Sequence, residues 1–350
     1  MALLTFFIGS YTEYLNPDFG GTGKGIYTVQ LNEETGEVYT VSVQSSRNPS
    51  YLTISMDNQF LYCTTELDIT EAPQVQAYKI HSDYSLQILN QQSILGTYPC
   101  HLSLFKNTIL TACYGTGNML QFPLMASGEL KSVQREYRHS GSGSNKIRQE
   151  APHAHHVAVH PNQKDVYVCD LGVDTVKAYT FTDGILKPNP EKDCEVTKGG
   201  GPRHLVFNID GSIAYVINEL TANVSVLKCS DGVFQEIATY ASLPMDFKGI
   251  PSASAIRFYP NKQVLYVANR SLEAISIFKI IEDTLELLEI TRTGGEELRE
   301  FNITPDGKWL LAGHQNSHDL VVYKIEKDGR LSETYRTREI LSPVCITFLN

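Results

Sequence analysis

A cassette of roughly fifty residues recurs along this chain, and nothing else in the sequence restricts the fold as much. Pro202-Arg203-His204-Leu205-Val206-Phe207-Asn208-Ile209-Asp210-Gly211 is answered by Leu298-Arg299-Glu300-Phe301-Asn302-Ile303-Thr304-Pro305-Asp306-Gly307. An apolar run follows each: Ala214-Tyr215-Val216-Ile217-Asn218 and Trp309-Leu310-Leu311-Ala312-Gly313. A polar turn and an alternating segment come next, Val224-Ser225-Val226-Leu227 and Leu320-Val321-Val322-Tyr323. Further copies begin at Pro49, Pro99, Pro152, Pro251 and Pro343, so the unit length stays between 45 and 53 residues.

Each unit reads as four short strands, a to d, separated by Asp-Gly, Asn-Gln or Pro-Asn turns. That period with four strands per unit predicts an all-β, seven-bladed β-propeller. Helical repeats of similar period need long 3.6-residue patterns, and none occurs. The unit at Pro343 supplies strand a alone. Its missing strands match Phe6-Phe7-Ile8-Gly9, Gly25-Ile26-Tyr27-Thr28-Val29 and Val38-Tyr39-Thr40-Val41-Ser42 at the other end. The seventh blade is therefore expected to be closed by N- and C-terminal strands, which removes an open sheet edge. Residues 1–350 are expected to form a single domain, although length alone would suggest two.

Composition narrows the function classes. The formal charge of −10 argues against a nucleic-acid binder held by general electrostatics. No apolar run approaches eighteen residues, so no membrane-spanning helix is expected. The apolar segment ending at Ser10 lacks a basic start and reads as a strand rather than a signal peptide. Seven cysteines without a close Cys-x-x-Cys pair fit buried thiols in a reducing, cytoplasmic setting.

The chain order predicts that b–c and d–a connections share one face. The long connections Tyr11–Lys24, Glu66–Gln74, His139–Ala151 and Ala241–Ile250 all belong to that class, which marks the face as the candidate site. On it, the start of strand a and the end of strand b are expected nearest the central axis. The first position carries Ser50, Cys100, His155, Arg203, Ser254 and Arg299; the second carries Ser10, Glu66, Gly115, Leu171, Glu219, Arg270 and Gln315. An apolar repeat has no need of such charges, which must be paired or solvated. His155 reads as a general base, a metal ligand or a packed histidine, and Arg203 and Arg270 as anion binders or as a structural ion network with Glu219. No set of ligands has metal spacing. Gly141-Ser142-Gly143-Ser144 reads as a loop, since no Gly-Lys-Ser/Thr follows. No Gly-x-Ser-x-Gly elbow supports serine-hydrolase chemistry.

Several segments resemble the seven-bladed propeller lactonases, a family that includes propeller-type 6-phosphogluconolactonase and the 3-carboxy-cis,cis-muconate lactonizing enzyme. They are Ile8-Gly9-Ser10-Tyr11-Thr12, Gly23-Lys24-Gly25-Ile26-Tyr27, Gly201-Pro202-Arg203-His204, Val216-Ile217-Asn218-Glu219-Leu220, Val267-Ala268-Asn269-Arg270 and Gln315-Asn316-Ser317. The resemblance implies a catalytic group of His155, Arg203, Glu219 and Arg270; substrate contacts are expected from Arg203 and Arg270 and also from His204, Gln315 and Arg299. It implies no metal and no cofactor. Its closest chemical reading is hydrolysis of a small anionic sugar-acid lactone, 6-phosphogluconolactone to 6-phosphogluconate. Two alternatives stand beside it: lactone closure on an unsaturated diacid, and a non-enzymatic propeller that binds a ligand or protein. The run His153-Ala154-His155-His156 leaves open which histidine acts, and blade six begins Glu297-Leu298-Arg299 without the usual proline.

Overall fold

The computed structural model describes residues 2–17, 19–259, 261 and 263–349. Asp18, within the Tyr11–Lys24 connection, lies outside them. The chain is all-β, with seven antiparallel sheets of the four-stranded kind that the repeat predicts. Among the described residues the only helical turns are short 3-10 segments, Ile69–Glu71, Leu171–Val173 and Pro190–Lys192. Among the described residues no helix is long and apolar enough to cross a membrane.

The chain gathers into two compact units, Met1–Thr111 with Leu120–Arg135 and Thr293–Asn350, and Ala112–Met119 with Glu136–Arg292. The first unit contains the sheet that joins the chain ends. Its order is Pro343–Phe348, Leu3–Ser10, Ile26–Asn32 and Val38–Gln44. Phe6 faces Phe348 and Ile8 faces Ile346, so the C-terminal strand supplies the a position. Two more sheets of this unit run Tyr51–Ile54, Phe60–Thr64, Gln74–Ile80, Leu86–Ser93, and Leu298–Ile303, Trp309–His314, Leu320–Ile325, Leu331–Thr337.

The second unit holds three sheets. They run Ala154–Val159, Asp165–Asp170, Thr175–Thr182, Ile185–Pro188; then Pro202–Phe207, Ile213–Asn218, Asn223–Ser230, Val233–Ala241; then Ala253–Tyr259, Val264–Asn269, Ala274–Ile281, Thr284–Arg292. A fifth short strand, Cys194–Glu195, adds to Thr175–Thr182 in the first of these. The seventh sheet of the chain runs Pro99–Phe105, Thr108–Cys113, Asn118–Pro123, Arg135–Arg138.

Burial explains the sequence pattern. Asp165–Asp170, Ile213–Asn218, Val264–Asn269 and Trp309–His314 are buried at all six positions, because both faces of each strand are covered. They read as unbroken apolar runs for that reason. Outer strands such as Val38–Gln44 and Thr284–Arg292 are largely solvated, with one buried residue each. Within the second unit, Tyr215, Ile217, Val224 and Val226 pack against Ile256, Leu265, Val267 and Phe278 of the next sheet. Burying one such side chain is worth about 1.5–3 kcal/mol, so the contact of sheet on sheet supplies much of the stability. All seven cysteines are free thiols, six of them buried.

Candidate active site

A repeated irregularity sets out the side chains of interest. In the strand Ala154–Val159, Ala154 faces Asp170 and His156 faces Cys169, so the ladder steps over His155. In Pro202–Phe207 the pairing passes from Pro202–Asn218 to His204–Ile217 and steps over Arg203. Between Ala253 and Ile256 it steps over Ser254 and Ala255, and in the first unit it steps over Arg299 between Leu298 and Glu300. A residue left out of the ladder is turned from the ordinary in-and-out alternation, and such bulges re-aim side chains beside functional sites.

The strand carrying Arg203 is entered through Gly201, whose φ of +67° lies in the left-handed region. A Cβ there would also meet the Leu220 side chain at 2.7 Å. Glycine is required on both counts. The Gly201 N–H donates to Asp174 Oδ1, and its carbonyl accepts from the Glu219 N–H, which ties the start of one strand to the end of the next.

In the second unit His155, Arg203, Glu219 and Arg270 come together. Glu219 is at the centre. Its Oε2 accepts from Arg203 Nε at 3.0 Å and lies 3.1 Å from Arg270 Nη2. Its Oε1 accepts from Arg148 Nη2 at 2.7 Å. Burial alone would raise the Glu219 carboxyl, but Arg270, Arg203 and Arg148 outweigh it and hold the group far below the usual carboxylate range. Glu219 is therefore a fixed anion. Three guanidinium charges face one carboxylate, so the group carries surplus positive charge inside an acidic protein.

Arg203 is held on every side. Besides Glu219, its Nη1 donates to the Ser254 carbonyl at 2.5 Å and to His204 Nε2 at 3.0 Å. Because His204 Nε2 accepts, the His204 proton resides on Nδ1. Arg270 Nη2 also donates to the Ala253 carbonyl at 3.2 Å.

The histidines separate by environment. His156 is paired within the sheet, tilts against His204 at 4.6 Å, and is pushed down to about 3 by burial and then by Arg257 and Arg203. His153 stacks on Tyr114 at 4.4 Å, with Nδ1 at 2.9 Å from the Tyr114 carbonyl and Nε2 at 3.2 Å from Glu150. His155 stands edge-on to both Tyr114 and His204, at 5.7 and 5.4 Å. Of the three it is the one that its strand's ladder steps over, and it adds to the field at Glu219.

Sequence reasoning singled out the loop His139–Ala151 but not Arg148 within it, nor Tyr114, whose hydroxyl accepts from Arg148 Nη2 at 3.2 Å. Among the described residues, no group of three or more His, Cys, Asp or Glu side chains is placed to hold a metal.

Arg299 and Gln315 belong to the first unit. Arg299 Nη2 donates to the Tyr11 hydroxyl at 2.7 Å, and Tyr11 donates to Glu66 Oε2 at 2.8 Å. The Arg299 guanidinium also lies over the rings of Tyr11 and Phe19, at 5.1 and 5.0 Å. Gln315 Nε2 donates to the Gly20 carbonyl, while its buried Oε1 has no hydrogen-bond partner among the described residues. That open acceptor is the feature of Gln315 suited to a ligand hydroxyl.

The all-β blades thus carry a histidine beside a charged arginine–glutamate group. The family described as "Lactonase, 7-bladed beta-propeller" matches residues 5–348, and the chain belongs to it. A 6-phosphogluconolactonase of Bacillus subtilis is 32% identical over 353 residues, 98% of each chain. The periplasmic gluconolactonase PpgL of Pseudomonas aeruginosa superposes with a TM-score of 0.92 at 26% identity, covering 100% of this chain and 99% of its own. A Bacteroides fragilis protein provisionally named a 6-phosphogluconolactonase also reaches a TM-score of 0.92, at 32% identity over 99% of this chain and 98% of its own.

Proposed function

We propose that the protein hydrolyses a sugar-acid lactone in the cytoplasm, with 6-phosphogluconolactone as substrate and 6-phosphogluconate as product. The observation that carries this reading is the Glu219 carboxylate bound by three arginines beside His155. Its surplus positive charge suits an anionic lactone, and the B. subtilis relative bears the corresponding name.

In this reading His155 takes a proton from water as the water oxygen attacks the lactone carbonyl. A C–O bond forms and the carbonyl oxygen becomes an oxyanion, stabilised by Arg203 or Arg270. The ring C–O bond then breaks. The leaving oxygen takes its proton from His155, which returns the one it removed. Glu219 is not the proton donor, because the arginines keep it ionised. Its task is to hold the guanidiniums in place.

The test is hydrolysis of freshly prepared 6-phosphogluconolactone, followed by proton release. Wild-type protein is expected to exceed the spontaneous rate, and His155→Ala to lose about 100- to 10,000-fold in kcat. A wild-type rate equal to the spontaneous one overturns the substrate. Full activity in His155→Ala overturns the base.

A further inference from the structure

Arg148 differs from the other arginines around Glu219 in origin and in exposure. It comes from the His139–Ala151 connection and not from a blade strand. Its side chain is 41% exposed, against 3% for Arg203 and 11% for Arg270.

The connection presents it rigidly. Asn145 Oδ1 accepts the backbone N–H groups of Ile147 and Arg148, each at 3.1 Å. Gln149 is fully buried and anchors the turn from beneath. Its N–H donates to the Asn145 carbonyl, its Nε2 to the Leu171 carbonyl and Asp174 Oδ1, and its Oε1 accepts from the Asn145 N–H. Arg148 then reaches Glu219 and Tyr114 through Nη2 alone. Its Nε and Nη1 make no hydrogen bond among the described residues, so three N–H donors of this partly exposed side chain stay open there.

A structural role does not account for this arrangement. Glu219 is already shared by two buried arginines, and a third guanidinium adds charge that the fold has no need to neutralise. A half-exposed ion pair contributes little to stability. Arg203 is fixed in place, since its Nε and Nη1 are engaged by Glu219, Ser254 and His204. Arg148 is the most exposed of the three arginines on Glu219.

We propose that Arg148 is a specificity-determining residue, which binds the negatively charged substituent carried by the lactone away from its carbonyl. Resting on the lactonase reading above, the inference names the residue that separates phosphorylated from unphosphorylated sugar lactones. Names among the similar proteins fall on both sides of that division.

The experiment compares wild type, Arg148→Gln and Arg148→Lys on 6-phosphogluconolactone and on unphosphorylated gluconolactone. Arg148→Gln is expected to lower the ratio of kcat/KM between the two lactones about 10- to 100-fold through the KM of the phosphorylated one, the size of a lost charge-assisted hydrogen bond. Arg148→Lys is expected to restore part of the ratio. An unchanged ratio overturns the inference. Binding of 6-phosphogluconate and of gluconate, measured by calorimetry, separates this result from the fate of the proposed function. If neither lactone is hydrolysed, that function falls, and the inference survives only if wild type prefers 6-phosphogluconate and Arg148→Gln loses the preference. Equal binding of both acids by wild type overturns it. Thermal midpoints of the variants are expected within a few degrees of wild type, since Arg148 is half exposed.

Discussion

Arg203 donates from Nε to Glu219 Oε2 at 3.0 Å, and both side chains are almost closed to solvent. They leave neighbouring antiparallel strands of one sheet, so the pair ties its two ends together. Removing one partner of a buried pair costs about 3–5 kcal/mol, because the other charge stays behind. Glu219→Gln is expected to lower stability by that order at pH 7, read from the urea midpoint. A midpoint equal to wild type would contradict the pairing.

The same carboxylate makes stability depend on acid. Its folded pKa lies far below the ordinary value of 4.5, so its contribution is complete above about pH 4.5 and declines as pH falls beneath it. Urea midpoints of wild type and Glu219→Gln are expected to converge between pH 4.5 and pH 2.5. A constant gap would mean that Glu219 titrates normally.

His156 acts at a higher pH. Burial, then Arg257 and Arg203, push it down to about 3, below the unfolded value of 6.5. Unfolding therefore takes up a proton between those values, and stability falls as pH drops from 6.5 toward 3. His156→Phe is expected to flatten the slope of stability against pH from 6.5 to 4. An identical slope in wild type and variant would refute this assignment.

Gly172 lies where no side chain fits. A Cβ there would stand 1.9 Å from the Ala151 carbonyl oxygen and 2.8 Å from the His153 nitrogen. Both obstacles are backbone, and they lead directly into the strand carrying His155. Gly172→Ala is expected to cost about 1–3 kcal/mol in thermal unfolding and to reduce lactonase turnover as well. A variant with unaltered melting would show that the backbone yields freely.

Tyr11 is fully buried, and its hydroxyl bridges Arg299 and Glu66. Tyr11→Phe leaves both without that partner, at an expected cost of about 1–3 kcal/mol in urea unfolding. A neutral result would mean that Arg299 is held by the aromatic rings alone.

Much of this was legible in the residues. The inner strands declared themselves because burial on both faces leaves no polar alternation to confuse the reading. The terminal closure followed from the incomplete unit at Pro343, which needed the strands ending at Gln44. Arg203 and Glu219 emerged because equivalent places in an apolar repeat held charge. Arg148 did not, because it sits in a connection that the repeat does not align. Its only signal was a basic residue three positions after Asn145 in a Gly/Ser-rich loop. The bulges were also hidden, since they depend on register and not on residue type. So was the difference in setting among His153, His155 and His156, which depends on register and burial.

The skipped residues at 155, 203, 254 and 299 separate two kinds of selection on neighbouring letters of the chain. His156, His204, Ile256 and Glu300 sit in the ladder, where a change of residue disturbs pairing and packing. The bulged position has no partner in the ladder to lose. A blade can therefore exchange histidine for arginine or serine there while its sheet stays in register. New chemistry can arise by single substitutions on an unchanged frame, one blade at a time.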